Sequence, residues 1–243
     1  KFAALVALPT QFAFWVAACA AGVAGLYFAW LGSTAHGQRP AEKVQIDLAS
    51  ALKVMSSRSG LSILMVGLGG AIFGTMGSFQ TSYADRLGLD YSIFFIGFMG
   101  AAIACRLLLA GWVVKQQPLA TSWVLTLIMA TAVLGFDQWV HSAESYLAMA
   151  MLLGVGYGLN YSVINGLAAN EAPAGLTAQA LLLFSLSYFI GVFGFPLLAG
   201  KIIVEHGMST LLLTVLIVAL ANWLITFGRL LWRRISLQST QAI

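Results

Sequence analysis

Long stretches without Asp, Glu, Lys or Arg dominate the pattern of hydrophobic and polar positions in this chain. A helix of about 20 apolar residues crosses the roughly 30 Å hydrocarbon core of a bilayer. Every one of the uncharged stretches reaches that length, and all are rich in Leu, Ile, Val, Ala, Phe and Gly. The pattern therefore predicts transmembrane helices in residues 2–38, 59–84, 116–136, 145–170, 172–200 and 207–228.

A further hydrophobic segment, residues 92–114, is interrupted only by the charge of Arg106, so seven helices are predicted in all. Hydrophobic residues make up 60% of the chain and charged residues 8%, which excludes an ordinary soluble domain. We predict an all-α, polytopic membrane protein. Its helices lie near residues 11–32, 61–83, 92–114, 119–136, 146–166, 178–200 and 209–230.

The distribution of Lys and Arg predicts the orientation, since cytoplasmic loops collect these residues. If the loop 33–60 is cytoplasmic, six further crossings return the tail 232–243 to the same side. Eight Lys and Arg residues then lie inside and three outside. We therefore expect a multi-pass protein of the cell (inner) membrane, with this central loop and the C-terminus in the cytoplasm.

The central loop 33–60 contains a short periodic segment. Val44, Leu48, Leu52 and Met55 recur at helical spacing, with charged residues between them. This spacing is typical of an amphipathic helix that lies flat at a membrane surface. A linker without regular structure is the alternative.

Arg106 is the one strongly charged residue away from the ends of the predicted spans. A charge at membrane depth is costly and marks a candidate functional site. Its position near the inner end of the third helix also allows the side chain to reach lipid phosphate at the interface. A structural or gating role at the cytoplasmic face is the third interpretation, and we prefer it to direct contact with the substrate.

Amides and phenols concentrate on the second and fifth predicted helices. Such groups need partners or water in hydrocarbon. They suit a polar cavity, although hydrogen bonds between neighbouring helices would also account for them. The predicted cavity residues are Gln80, Tyr83, Tyr157, Asn160, Tyr161 and Asn165.

Glycine and proline mark close helix contacts and a bend. Gly70 with Gly74, and Gly154 with Gly158, have the spacing that lets helices approach closely. Pro196 inside the sixth helix favours a kink. Gly191 and Gly194 lie beside this proline. The predicted gating residues are Arg106, Gly111, Gly191, Gly194 and Pro196.

A long basic loop, six helices and a basic tail resemble the second half of a major facilitator superfamily transporter. The segment from Gly97 to Gly111, including Arg106, is similar to the eighth helix of that family. Residues 170–180 resemble the loop between helices ten and eleven, and residues 185–196 resemble the eleventh helix of export-type members. The chain departs from the family after Gly111, where no acidic residue follows.

The resemblance implies an arrangement of domains. Residues 1–32 would be the last helix of the N-terminal half, residues 33–60 the cytoplasmic central loop, 61–231 a six-helix bundle and 232–243 a tail. The chain begins with Lys1, so we expect a longer native protein that includes the N-terminal half. The implied function is export-type secondary transport of a small organic solute by alternating access, coupled to protons or another ion.

Two alternatives stay open, and enzymatic catalysis is not expected. A half-size membrane protein could act as a dimer, and a seven-helix receptor-like protein would match the helix count. His36, His141 and His206 fall in loops, Cys19 and Cys105 in apolar segments. We therefore predict no catalytic residues, no metal, no cofactor and no nucleic-acid partner.

The predicted orientation can be tested with reporter fusions at Gln45 and in the C-terminal tail. Because Lys and Arg concentrate on one side, both reporters should give a cytoplasmic signal in intact cells. Opposite locations for the two reporters would contradict the topology.

Overall fold

The computed structural model describes residues 10–34, 47–113 and 115–241. Helix α1, Thr10–Thr34, belongs to a unit of its own, residues 1–43. Residues 44–243 form a second compact unit, and its described part is helical between short turns. Its elements are α2 (Leu48–Met55), α3 (Arg58–Ser78), α4 (Gln80–Leu87), α5 (Ser92–Val113), α6 (Pro118–Gln138), α7 (Ala143–Asn170), α8 (Thr177–Phe189), a π-helical turn (Ile190–Gly194) and α9 (Phe195–Gln241).

The membrane spans follow the uncharged stretches of the sequence. Among the described residues, 6 helical stretches are long and apolar enough to cross a membrane. The last of these, Thr177–Ile235, contains a break at Gly207, where φ is 84°. This break divides it into two helices, so the prediction of an all-α protein with about seven transmembrane helices is confirmed.

The second predicted span is two helices rather than one. Helix α3 ends at Ser78, and Phe79 leaves the helical region with φ −107° and ψ 11°. Helix α4 then runs to Leu87 and ends at Gly88, which has φ 65° and takes the left-handed conformation that favours glycine. Gln80 and Tyr83 consequently lie on a separate short helix.

The predicted helix in the central loop is present as α2, and Val54, which is not part of the predicted apolar row, attaches it to the bundle. Val54 is fully buried, whereas Leu48, Leu52 and Met55 are exposed. Val54 packs against the cluster that includes Ile63 and Phe184. Val44 lies outside the described residues, and the exposed row remains available to a membrane surface.

Glycines bring α3 into backbone contact with α8 and the π-helical turn. A Cβ at Gly74 would collide with the carbonyl of Val192, and one at Gly191 with the carbonyl of Gly67. A Cβ at Gly70 would lie 2.6 Å from the carbonyl oxygen of Tyr188. This contact confirms the close approach that the Gly70 and Gly74 spacing predicts.

A second glycine contact joins α7 to α5. A Cβ at Gly154 would collide with the carbonyl of Phe98, and one at Gly158 would lie 2.9 Å from the Cβ of Ala102. The Gly154 and Gly158 spacing is therefore also a close helix contact. Both glycine contacts hold the bundle together by close van der Waals packing.

A buried ion pair connects α7 and α9 at the end of the bundle where α3 and α6 begin. The side chain of Arg229 is 7% exposed, and its Nη2 pairs with the Oε2 of Glu171, directly after α7. Its Nη1 also donates to the Oγ of Ser62 at 3.0 Å. A buried charge needs both an opposite charge and hydrogen bonds, and Arg229 has each.

Replacing Gly74 by Ala tests whether the backbone contact carries stability. The added methyl group has no room, so we expect a loss of about 1–3 kcal/mol in the free energy of unfolding. Gly77→Ala on the same helix is the control, because a Cβ there meets no atom within 4 Å. Thermal unfolding in detergent should show a lower Tm for the first variant only, and equal Tm values would contradict the contact.

Candidate functional site

Aromatic side chains from four helices meet on one side of α7. We call Phe73, Phe98, Tyr157, Tyr161 and Tyr188 the aromatic cluster. The rings of Phe73 and Tyr157 stack with centroids 4.8 Å apart, and those of Tyr161 and Tyr188 meet edge to face at 5.3 Å. The hydroxyl of Tyr157 donates to the hydroxyl of Tyr188 at 3.0 Å. The cluster therefore links α3, α5, α7 and α8.

The positions in the cluster follow from helix geometry. Tyr157 and Tyr161 are four residues apart on α7, so their side chains share a face. Tyr188 lies near the end of α8, directly before the π-helical turn. Such turns are rare and occur frequently at functional sites, because they redirect the side chains beside them.

Burial decreases across the cluster. Tyr157 is 8% exposed, whereas Tyr161 and Tyr188 are half-buried. Phe189 and Phe193 extend the aromatic surface outward, with stacked rings whose centroids are 5.9 Å apart. The cluster thus reaches from the interior of the bundle to its surface.

Arg106 is exposed on the surface of the bundle and makes two contacts with α7. Its Nε donates to the carbonyl of Gly158 at 2.9 Å, and its guanidinium carbon lies 5.9 Å from the ring centroid of Tyr161. Side chains on a helix lean toward its N-terminus, which directs Arg106 away from the near interface. Gly158 lies about 18 Å from the end of α7 at Asn170, at 1.5 Å per residue.

The two contacts of Arg106 favour a structural role. Its guanidinium crosslinks α5 to α7 and lies against one side of Tyr161 in a cation–π contact. The gating role of Arg106 stays a prediction.

A groove of about 210 Å³ begins beside Arg106 and follows α7 toward its end. Ser162, Gly166 and Asn170 contribute to its wall at intervals of four residues. Ser162 is about 100° around the helix from Tyr161. The groove therefore lies on another side of α7 from the aromatic cluster, and Val113 and Pro118 line it from α5 and α6.

The structure does not bring the six predicted cavity residues together. Gln80 is 2% exposed and accepts a hydrogen bond from the hydroxyl of Tyr146 at 2.6 Å. The hydroxyl of Tyr83 donates to the carbonyl of Phe136 at 2.5 Å. These two residues bond inside the bundle because the break at Phe79 places them on α4.

Asn160 also bonds within the bundle. It is 3% exposed, and its Oδ1 accepts a hydrogen bond from the hydroxyl of Ser122 on α6 at 2.7 Å. Tyr157 and Tyr161 belong to the aromatic cluster. Asn165 lies one helical turn beyond Tyr161 and is half-buried. Three of the six therefore share the clustered face of α7.

The predicted gating residues occupy different environments. Gly191 is packed against α3, and Gly194 ends the π-helical turn. Pro196 is the second residue of α9, directly after this turn. Gly111 is exposed near the end of α5, and a Cβ there would meet no atom within 4 Å.

Phe73, Phe98 and Tyr188 were missed as site residues. Tyr188 carried a usable signal, since it is a phenol in a span without charges, as Tyr157 is. Phe73 and Phe98 carried none, because a phenylalanine in an apolar span has no distinguishing neighbour in sequence. In the part of the chain that the structure describes, no group of three His, Cys, Asp or Glu residues could hold a metal ion.

Comparison with known proteins supports the architecture. A crystal structure of the POT family transporter PepTSo is similar, with a TM-score of 0.62 and 16% sequence identity. The match covers 70% of this chain and 37% of that transporter, so the chain spans well under half of its length. Comparison with curated proteins gives no match.

The family model described as Major Facilitator Superfamily matches residues 2–196, which is most of the chain. Together with the helical fold of the described residues and their apolar spans, this match establishes a multi-pass membrane protein. The chain belongs to the major facilitator superfamily.

Proposed function

We propose that residues 61–231 are the C-terminal half of a secondary transporter that moves a small organic solute by alternating access. In this superfamily, substrate binds near the membrane midplane between two six-helix halves. The second half would come from a preceding part of a longer chain. The observation that carries the proposal is the aromatic cluster, in which Tyr157 and the half-buried Tyr161 lie near the middle of α7.

The chemistry of this face favours an uncharged or amphipathic organic solute. Aromatic rings give large contact areas at low entropic cost, and phenol hydroxyls give orienting hydrogen bonds. The hydroxyls of Tyr157 and Tyr188 bond to each other, and Asn165 adds an amide on the same face. Gln80, Tyr83 and Asn160 would hold the bundle together behind this surface.

The glycine contacts favour movement of the bundle as one body. Gly74 and Gly191 leave no space between α3 and the π-helical turn, so these elements would move together. Arg106 fixes α5 to α7 in the same way. Gly111, Gly194 and Pro196 lie in less crowded surroundings and are the better candidates for local adjustment during rocking.

Direction and coupling form the finer part of the proposal. The resemblance of residues 185–196 to export-type members favours efflux, and the Lys and Arg distribution favours a cytoplasmic loop 33–60 and tail. Among the described residues, acidic side chains lie at helix ends or in turns. A carboxylate that carries a coupling proton would therefore belong to the other half.

A pair of cysteine variants on α7 tests this site. In the full-length protein with Cys19 and Cys105 replaced by Ser, Asn165→Cys should react with a water-soluble thiol reagent, because position 165 faces the proposed cavity. A transported solute should slow this reaction. Asn160→Cys is the matched control and should react far more slowly, because position 160 is buried against Ser122.

Two results would contradict the proposed site. One is an Asn165→Cys variant that stays unreactive in every conformational state. The other is equal reactivity at positions 160 and 165 with no effect of solute. Either would show that the clustered face of α7 does not border a solute cavity.

A further inference from the structure

A recess of about 320 Å³ opens at the end of the bundle where α3 and α6 begin and α7 ends. Its wall contains three arginines, Arg58, Arg229 and Arg233, and a single carboxylate, Glu171. The charges in the wall therefore sum to an excess of positive charge. A cavity with this balance favours an anionic occupant.

The ion pair at the base of the recess accounts for one of the three arginines. Arg229 is committed to Glu171 and to the hydroxyl of Ser62. Arg58 and Arg233 are exposed and lie nearer the rim than Arg229. Arg58 is held in place by Trp232, whose ring centroid lies 5.8 Å from the guanidinium carbon.

The position of Arg58 is unfavourable for its own helix. It is the first residue of α3, and the N-terminus of a helix is the positive end of the helix dipole. A cation placed there costs stability unless an anion is nearby. The N–H groups of Ser59 and Gly60 already donate to Ser57, so the attraction for an anion comes from the guanidinium and the helix dipole. Arg58 and the end of α3 thus favour the same kind of occupant.

The recess lies at the level of a membrane interface. Arg58 and Pro118 begin candidate membrane spans, and Asn170 ends another. Trp232 is 61% exposed at this level, where tryptophan is enriched in membrane proteins. Leu61 and Leu119 line the recess together with the arginines, which gives the wall both a charged and an apolar part.

We propose that this recess binds the phosphate of an anionic phospholipid. Basic pockets between transmembrane helices on the cytoplasmic side bind such head groups. The Lys and Arg distribution predicts that this end of the bundle faces the cytoplasm. The proposal stands apart from the transport function, because none of its residues belongs to the aromatic cluster.

Lipid binding to the purified full-length protein, measured by native mass spectrometry, tests the proposal. Phosphatidylglycerol should bind more tightly than phosphatidylcholine. Arg58→Gln and Arg233→Gln should each weaken phosphatidylglycerol binding about fivefold, the factor that one arginine near an anionic surface provides. Arg86→Gln is the control, because Arg86 is exposed on α4, outside the recess.

The melting temperature in a neutral detergent shows whether each variant is folded, and the two rim variants are independent of each other. Equal binding of the two lipids would overturn the proposal, as would an unchanged preference in both Arg58→Gln and Arg233→Gln. In a final experiment, inorganic phosphate at millimolar concentration is added as a competitor of phosphatidylglycerol. If it displaces phosphatidylglycerol and stabilises the protein in the same Arg58-dependent way, the occupant is free phosphate and the lipid assignment is wrong.

Discussion

The close backbone contact between α3 and the π-helical turn is the constraint on which the rest of the bundle depends. In a membrane, helices gain little from the hydrophobic effect when they associate, so close packing of small residues has to hold them together. Gly67, Gly74 and Gly191 supply that contact, and no larger side chain fits at either of the last two. The contact fixes Tyr188 opposite Tyr157, and their hydroxyls then lie 3.0 Å apart.

The polar groups of the bundle divide into two sets with different consequences. Gln80, Tyr83 and Asn160 find partners inside the bundle, as buried polar groups in hydrocarbon must. Tyr161 and Asn165 stay half-buried on the clustered face of α7. A transporter half needs both sets, because the first makes the bundle a rigid body and the second leaves a surface that can contact solute.

The spans could be predicted from the sequence because charge is excluded from hydrocarbon. The Gly70–Gly74 and Gly154–Gly158 contacts could be predicted because glycines at this spacing let two helices approach closely. The helix break at Phe79 could not be predicted, since neither Gly nor Pro occupies that position. This break places Gln80 and Tyr83 on a separate short helix, away from the predicted cavity. Asn160 and Tyr161 are adjacent in sequence, and only the position of α6 decides that Asn160 bonds to Ser122. The burial of Val54 likewise depends on a site that other helices create.

The central claim is that this bundle is one half of a transporter whose solute path lies between two bundles. Solute flux into liposomes containing only residues 1–243 tests it most directly. The solutes would be a panel of small neutral, cationic and anionic organic compounds measured by mass spectrometry. Our account predicts no flux above that of protein-free liposomes. Saturable flux that is lost in a Tyr161→Ala variant would contradict it, and would indicate a half-size protein that works as a dimer.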